Sequence, residues 1–335
     1  MSGGGSTKLV VVPRFCLFAL GLLGALSPAA LAQTSYELTD GGFVAVDAPA
    51  PGTPAAELAA ARRLLAEGDA KAAERAVTDW LKAHPRHPRT ADALVLRGDA
   101  RVARGREYKA LFDYEAVATF HPATEAFNVA LRREFAIAER YVSGLRRRFL
   151  GQRWVPAGDD GAELLIRIQE RLPGSELGER ASATLADYYF EAGQMELATE
   201  AYDLLLENYP ETDGRAFAML RSVQASLARF KGPEFDATGL IDAQERLRQL
   251  ELEFPAAAER VGAGGLRVRI RESLARRDLS SARWYDRTGQ PVSAATLYRR
   301  LVQEYPDTAA GAAAARRLAA LGEAVVAAAP AGGTP

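Results

Sequence analysis

A single cysteine, Cys16, stands in 335 residues, so the chain can close no disulfide on itself. Histidine is nearly as scarce: there are only His84, His87 and His121. One thiol and three imidazoles are too few for the Cys/His clusters that structural zinc sites draw on. His84 and His87 flank Pro85 in a helix-exit turn with no Cys nearby, and read as surface turn residues. Charge of one sign is lacking as well. Lys plus Arg number 42 and Asp plus Glu 43, which leaves no basic excess for a nucleic-acid backbone. There is no Gly-x-Ser-x-Gly turn and no convergent acid/base pair. Gly262-Ala263-Gly264-Gly265 lacks the Lys-Ser/Thr of a phosphate loop, and reads as a loop or helix break. These absences argue against an enzyme, a cofactor or a metal, and leave binding as the expected role.

What is present is a repeat. Pro85, Pro122, Pro173, Pro210, Pro255 and Pro306 each follow a small residue by twelve positions: Ala73, Ala110, Gly161, Ala198, Ala243 and Ala294. Gly68, Gly105, Gly193 and Gly289 lie seventeen before four of them. Eight before each proline stands Val77, Tyr114, Leu165, Tyr202, Leu247 or Tyr298; five before stands Trp80, Val117, Ile168, Leu205, Leu250 or Leu301. The physical reading is a helix, a glycine turn of positive φ, a second helix, and a proline that cannot prolong it. The small residue lets two helices approach closely, and the large one fills the wedge to the next pair.

The expected fold class is therefore all-α, a solenoid of about five to six helix pairs. It resembles the tetratricopeptide repeat, whose ideal period is roughly 34 residues. Spacings here run from 37 to 51, so extra length is expected in long helices or in loops at 231–239 and 151–158. The third copy lacks its turn glycine.

The ends read differently. Lys8 and Arg14, the apolar run Phe15 to Leu26 and Ala30-Leu31-Ala32 form an export-signal pattern, with cleavage expected before Gln33; the alternative is an uncleaved membrane anchor, since Phe15 to Tyr36 carries no charge. Residues 33–53 read as a flexible linker, 54–321 as the solenoid, and 322–335 as a disordered tail. Cys16 follows Val12-Pro13-Arg14-Phe15, not the small residues of a lipidation site.

Two surfaces stand out as candidates for partners. In the tetratricopeptide pattern the first helix of each pair lines a groove, and its exposed positions map to Arg62, Asp99, Asp187, Phe190, Arg283 and Asp286. The stretch Leu131 to Arg153 interleaves Arg132, Arg133, Arg140, Arg146, Arg147, Arg148 and Arg153 with aromatics. It reads as a long amphipathic helix with a basic face, or as a docking segment for an acidic partner or anionic lipid headgroups. Asp159-Asp160 reads as a helix N-cap.

Asp278 to Thr288 with Gly289, followed by Ala294 to Thr308 ending Glu304-Tyr305-Pro306-Asp307-Thr308, looks like the last repeat of the outer-membrane assembly factor BamD family. Leu204 to Thr212, with Tyr209-Pro210, fits that family's middle repeats. The resemblance spans roughly residues 54–321. It implies a non-enzymatic, periplasmic or outer-membrane-associated scaffold whose partners are a β-barrel insertase and nascent outer-membrane proteins. No family contact residue maps onto this chain. The alternative is a periplasmic repeat adaptor of the Tol–Pal division system, against which the absence of heptads in 33–53 counts.

Overall fold

In a computed structural model, residues 35–39, 42–46, 49–230, 232 and 237–328 are described. The signal stretch 1–32, Cys16 and most of the 231–236 loop lie outside them. Within them, fourteen helices follow one another with two small antiparallel hairpins. Contacts divide the chain into two units, one running to Glu134 and the other from Phe135.

The first unit holds β1 (Ser35–Thr39), β2 (Gly42–Val46), α1 (Pro54–Ala66), α2 (Ala70–Ala83), α3 (Thr90–Ala103), α4 (Glu107–Phe120) and the start of α5 (Glu125–Val142). The second holds the end of α5, β3 (Arg147–Phe149), β4 (Gln152–Val155), α6 (Gly158–Arg171), α7 (Glu176–Glu191), α8 (Met195–Asn208) and α9 (Arg215–Arg229). It continues through α10 (Thr238–Glu253), α11 (Pro255–Arg260), α12 (Ala263–Arg287), α13 (Pro291–Glu304) and α14 (Ala309–Ala328). Within each unit the helices pack against their sequence neighbours, α1 on α2 and α3 on α4, then α7 on α8 and α12 on α13. This is the all-α tetratricopeptide-repeat solenoid.

The repeat register explains why the elements end where they do. α2, α4, α6, α8, α10 and α13 each stop two residues before a repeat proline. Gly68, Gly105, Gly193 and Gly289 all have positive φ, between 66° and 91°, a conformation that costs other residues about 1–2 kcal/mol. Ala73, Ala110, Ala198, Ala243 and Ala294 are wholly buried. At Gly161, an added Cβ would meet the Ala138 carbonyl oxygen at 3.0 Å and Val142 at 2.9 Å, so even alanine is too large there. The wedge residues Val77, Tyr114, Leu165, Tyr202, Leu247 and Tyr298 are all at most 1% exposed. Burying one such side chain contributes about 1.5–3 kcal/mol, and this row forms the spine of each unit's core.

The extra length has three forms. Between Pro122 and Pro173 it is the β3–β4 hairpin. Between Pro210 and Pro255 it includes the link from α9 to α10. Between Pro255 and Pro306 it is α11 plus the 25-residue α12, separated by Gly262 in a left-handed conformation.

Four expectations need correction. The stretch Leu131 to Arg153 is not one helix: α5 ends at Val142, Gly144 turns the chain with φ +98°, and the rest is hairpin. Residues 33–53 include the β1–β2 pair, in which Tyr36 faces Ala45 and Leu38 faces Phe43 across the ladder; the alternating apolar residues on either side of Asp40-Gly41 are a hairpin signal that composition alone obscured. α14 continues to Ala328, because its alanine-rich sequence is a strong helix former. Asp159 and Asp160 are not caps. They sit in the first turn of α6, still favoured by the helix dipole, and turn sideways to Tyr188 (3.2 Å) and Arg147 (3.0 Å).

Candidate functional site

The candidate groove residues do not share one fate. Arg62 and Arg283 are exposed. Asp99, Asp187 and Asp286 are half-buried, and each accepts a hydrogen bond from a wedge tyrosine: Tyr114 to Asp99 at 2.8 Å, Tyr202 to Asp187 at 2.5 Å, and Tyr298 to Asp286 at 3.2 Å. A phenol driven into the core must find a partner for its hydroxyl, and these carboxylates supply it from the first helix of the same pair. Burial, then the neighbouring carboxylate, pushes all three tyrosines above their ordinary range.

A third member was missed from the sequence. Arg133, Arg221 and Arg317 each stand eleven residues after the proline that closes a tyrosine-bearing repeat. Where the wedge is Val77, Leu165 or Leu247, that position holds Leu96, Thr184 or Leu266. Arg133 donates to both oxygens of Asp99 (2.8 and 3.3 Å), and Arg317 to both oxygens of Asp286 (2.6 and 2.9 Å). Each arginine comes from the following repeat, so the aspartate links wedge and next helix. The Arg317 hydrogen bond, against a smaller opposing effect of burial, holds the Asp286 carboxyl below its usual range.

The middle set is different. Arg221 on α9 does not close on Asp187. Its guanidinium lies over the rings of Phe190 (4.5 Å) and Phe217 (5.0 Å), its buried Nε has no hydrogen-bond partner, and it forms no ion pair among the described residues. Phe217 is 52% exposed. The result is a guanidinium over two aromatic rings, with no ion pair to neutralise it among the described residues. Cation–π contact in such a setting contributes about 0.5–1 kcal/mol and fixes the guanidinium plane.

Several other charged clusters are matched internally. A cleft of about 390 Å³ among α8, α9 and α10 is lined by Asp203, Glu207, Asp242, Glu245, Arg215 and Arg246. Arg246 pairs with Asp203 and Asp242, and Arg215 with Glu253. In the first unit, Glu74 receives Arg101 and Arg104, and the buried Asp113 receives Arg97 (2.6 Å) and Arg101 (2.7 Å). His84 and His87 pack on Trp80 at 5.1 and 5.2 Å, and His84 lies 3.7 Å from Glu57.

Of the basic segment, Arg147 pairs with Asp160, and Arg153 donates to the Arg146 carbonyl at 2.8 Å. Arg140 closes α5, while Arg146 and Arg148 are exposed. No helix among the described residues is long and apolar enough to cross a membrane.

The chain is similar to several solved repeat proteins. A tetratricopeptide repeat protein from Parabacteroides merdae is 13% identical, with a TM-score of 0.35, over 79% of this chain and 97% of its own. The C-terminal part of a TPR repeat-containing protein from Cytophaga hutchinsonii is 11% identical, with a TM-score of 0.38, over 79% and 88%. PilW, described as a widely conserved type IV pilus biogenesis factor, is 13% identical, with a TM-score of 0.29, over 79% and 99%. No curated protein matches. The family model described as outer membrane lipoprotein, YfiO, matches residues 159–328, from the first turn of α6 to the end of α14. That stretch is just over half of the 335 residues, and the chain belongs to the YfiO family of outer membrane lipoproteins.

Proposed function

We propose that this protein is a non-enzymatic cell-envelope scaffold that binds protein partners during outer-membrane β-barrel assembly, on the periplasmic side of the outer membrane. Family membership supports the compartment. The observation that carries a binding role is the Phe190–Arg221–Phe217 cluster. In the other two tyrosine repeats the equivalent arginine is neutralised by aspartate; here two rings hold it unneutralised at a half-exposed surface. Leaving a cation unpaired at a partly buried position is unfavourable unless an anionic or carbonyl-rich partner completes it. Exposed Phe217 supplies the apolar anchor that such contacts use. Arg283 is an exposed position of the same helix class within the second unit and belongs to the proposed partner surface, while Arg62 is proposed as a separate partner contact of the first unit.

The test is a photo-crosslinking residue at position 217, used in the native envelope with and without Arg221→Glu. Recovery of a β-barrel insertase or of nascent barrel proteins, lost in Arg221→Glu, is the expected result. Recovery of Tol–Pal or wall-synthesis components without an insertase would remove the assembly reading in favour of the division adaptor.

A further inference from the structure

The β3–β4 hairpin interrupts the repeat register between Pro122 and Pro173 and lies ahead of the residues matched by the family model. Nothing in the repeat architecture requires it. Its strands pair Arg148 with Arg153 and Phe149 with Gln152, leaving Leu150 and Gly151 as a two-residue connection. Both have positive φ, 49° and 85°, the backbone of a type I′ turn. Glycine or asparagine is the ordinary choice at such a position. Leucine here carries two costs: a left-handed backbone at a residue with a Cβ, and an isobutyl group that is 87% exposed. Strain of this kind at an exposed tip points to a use for the side chain.

The alternation along the strands sorts the rest. Arg147, Arg153 and Val155 are half-buried, whereas Arg146, Arg148, Gln152 and Trp154 are exposed. Trp154 is 67% exposed. Arg146 and Arg148 form no ion pair among the described residues. From the tip backward the order is therefore apolar, then guanidinium and indole, then guanidinium. At about 3.3 Å per residue, Arg148 stands roughly 7 Å behind Leu150.

We infer that this hairpin docks on a membrane surface bearing anionic phospholipid headgroups. Leu150 enters the boundary between headgroups and acyl chains, where interfacial apolar groups reach roughly 5–10 Å. Arg148 and Arg146 then lie at the depth of the phosphates, and Trp154 at the interface that indoles prefer. The layering distinguishes a bilayer from an acidic protein surface, which would be met by the arginines without an apolar tip in front of them. Such a hairpin holds the second unit at a bilayer whether or not the N-terminus is attached to one. The inference rests on the hairpin alone and stands apart from the partner cluster around Arg221.

The experiment is co-sedimentation of the full chain with vesicles of phosphatidylcholine, or of phosphatidylcholine mixed with phosphatidylglycerol. Every variant keeps the N-terminal apolar segment, so differences between variants report the hairpin. Arg146→Glu with Arg148→Glu is expected to weaken partition into the anionic vesicles by about tenfold or more, given the ordinary contribution of each surface cation. Arg146→Lys with Arg148→Lys should retain it. Leu150→Asn, which suits the turn backbone, should weaken partition into both vesicle types. Bromine placed in the acyl chains should quench wild-type emission and lose that quenching in Trp154→Phe. Unchanged partition of the charge-reversed variant overturns the inference. So does charge reversal that leaves vesicle binding intact while abolishing crosslinks to an acidic protein, which would assign the hairpin to a protein partner.

Discussion

Tyr114, Tyr202 and Tyr298 occupy the place that Val77, Leu165 and Leu247 fill in the other repeats, but a phenol brings a hydroxyl into the core. The aspartate on the first helix accepts a hydrogen bond from it, and for Asp99 and Asp286 an arginine further along the chain steadies the aspartate. Arg133 is 53% exposed, so its ion pair with Asp99 contributes only about 0–1 kcal/mol. The larger contribution is the buried phenol–carboxylate hydrogen bond. Asp99→Ala should therefore cost about 1–3 kcal/mol, and the double variant with Tyr114→Phe less than the two single losses added. Urea denaturation of the four proteins checks it, and strict additivity would show that the pair does not interact. Steric limits are equally local. Ala198 is wholly buried where α8 meets its neighbours, and Ala198→Leu should cost about 1–3 kcal/mol by overpacking. Wild-type stability in that variant would undermine the repeat register.

At the scale of elements, the helix pairs were legible because each of their signals is enforced within seventeen residues: a turn glycine of positive φ, a small contact residue, a wedge and a stop. The β3–β4 hairpin was not legible. Only a few residues alternate there, and its arginines fit a basic helix face equally well until Gly144 breaks the helix. The arginine eleven residues past the proline was also unread, since its partner aspartate belongs to the preceding repeat and only comparison among repeats exposes it. The charge cluster joining α2, α3 and α4 gives this scale its prediction. Burial would raise the Glu74 carboxyl, but hydrogen bonds from Arg104 and Arg101 outweigh it and hold the group below its ordinary 4.5. A depressed folded value means that the stabilisation is present above about pH 4.5 and is lost as pH falls through the folded value. The stability gap between wild type and Glu74→Gln should therefore be widest near neutrality and shrink in acid. Denaturant midpoints of both proteins across that range measure it, and a constant gap would show that Glu74 makes no charge-dependent contribution.

At the scale of the molecule, a tetratricopeptide solenoid stores its stability in neighbouring contacts and has no single central core. Within the second unit α7 packs on α8, α8 on α9, α9 on α10, α10 on α12, α12 on α13 and α13 on α14. Its buried residues fall into successive clusters, one around Tyr202 and Leu205, one around Leu240 and Leu247, and one around Tyr298 and Leu301. A chain built this way behaves as a quasi-one-dimensional array, in which a local loss lowers the free energy of local opening and decays along the stack. Asp286 offers a clean perturbation, because it joins Tyr298 on α13 to Arg317 on α14. Asp286→Ala should speed amide exchange in α12, α13 and α14 and leave α7 and α8 at wild-type protection, as measured by hydrogen–deuterium exchange with mass spectrometry. Equal acceleration from α7 to α14 would mean that the unit opens as one cooperative body, and the additive picture of its stability would fail. The local outcome would bear on function too, since the Phe190–Arg221–Phe217 surface would then keep its geometry while the terminal repeats open and close.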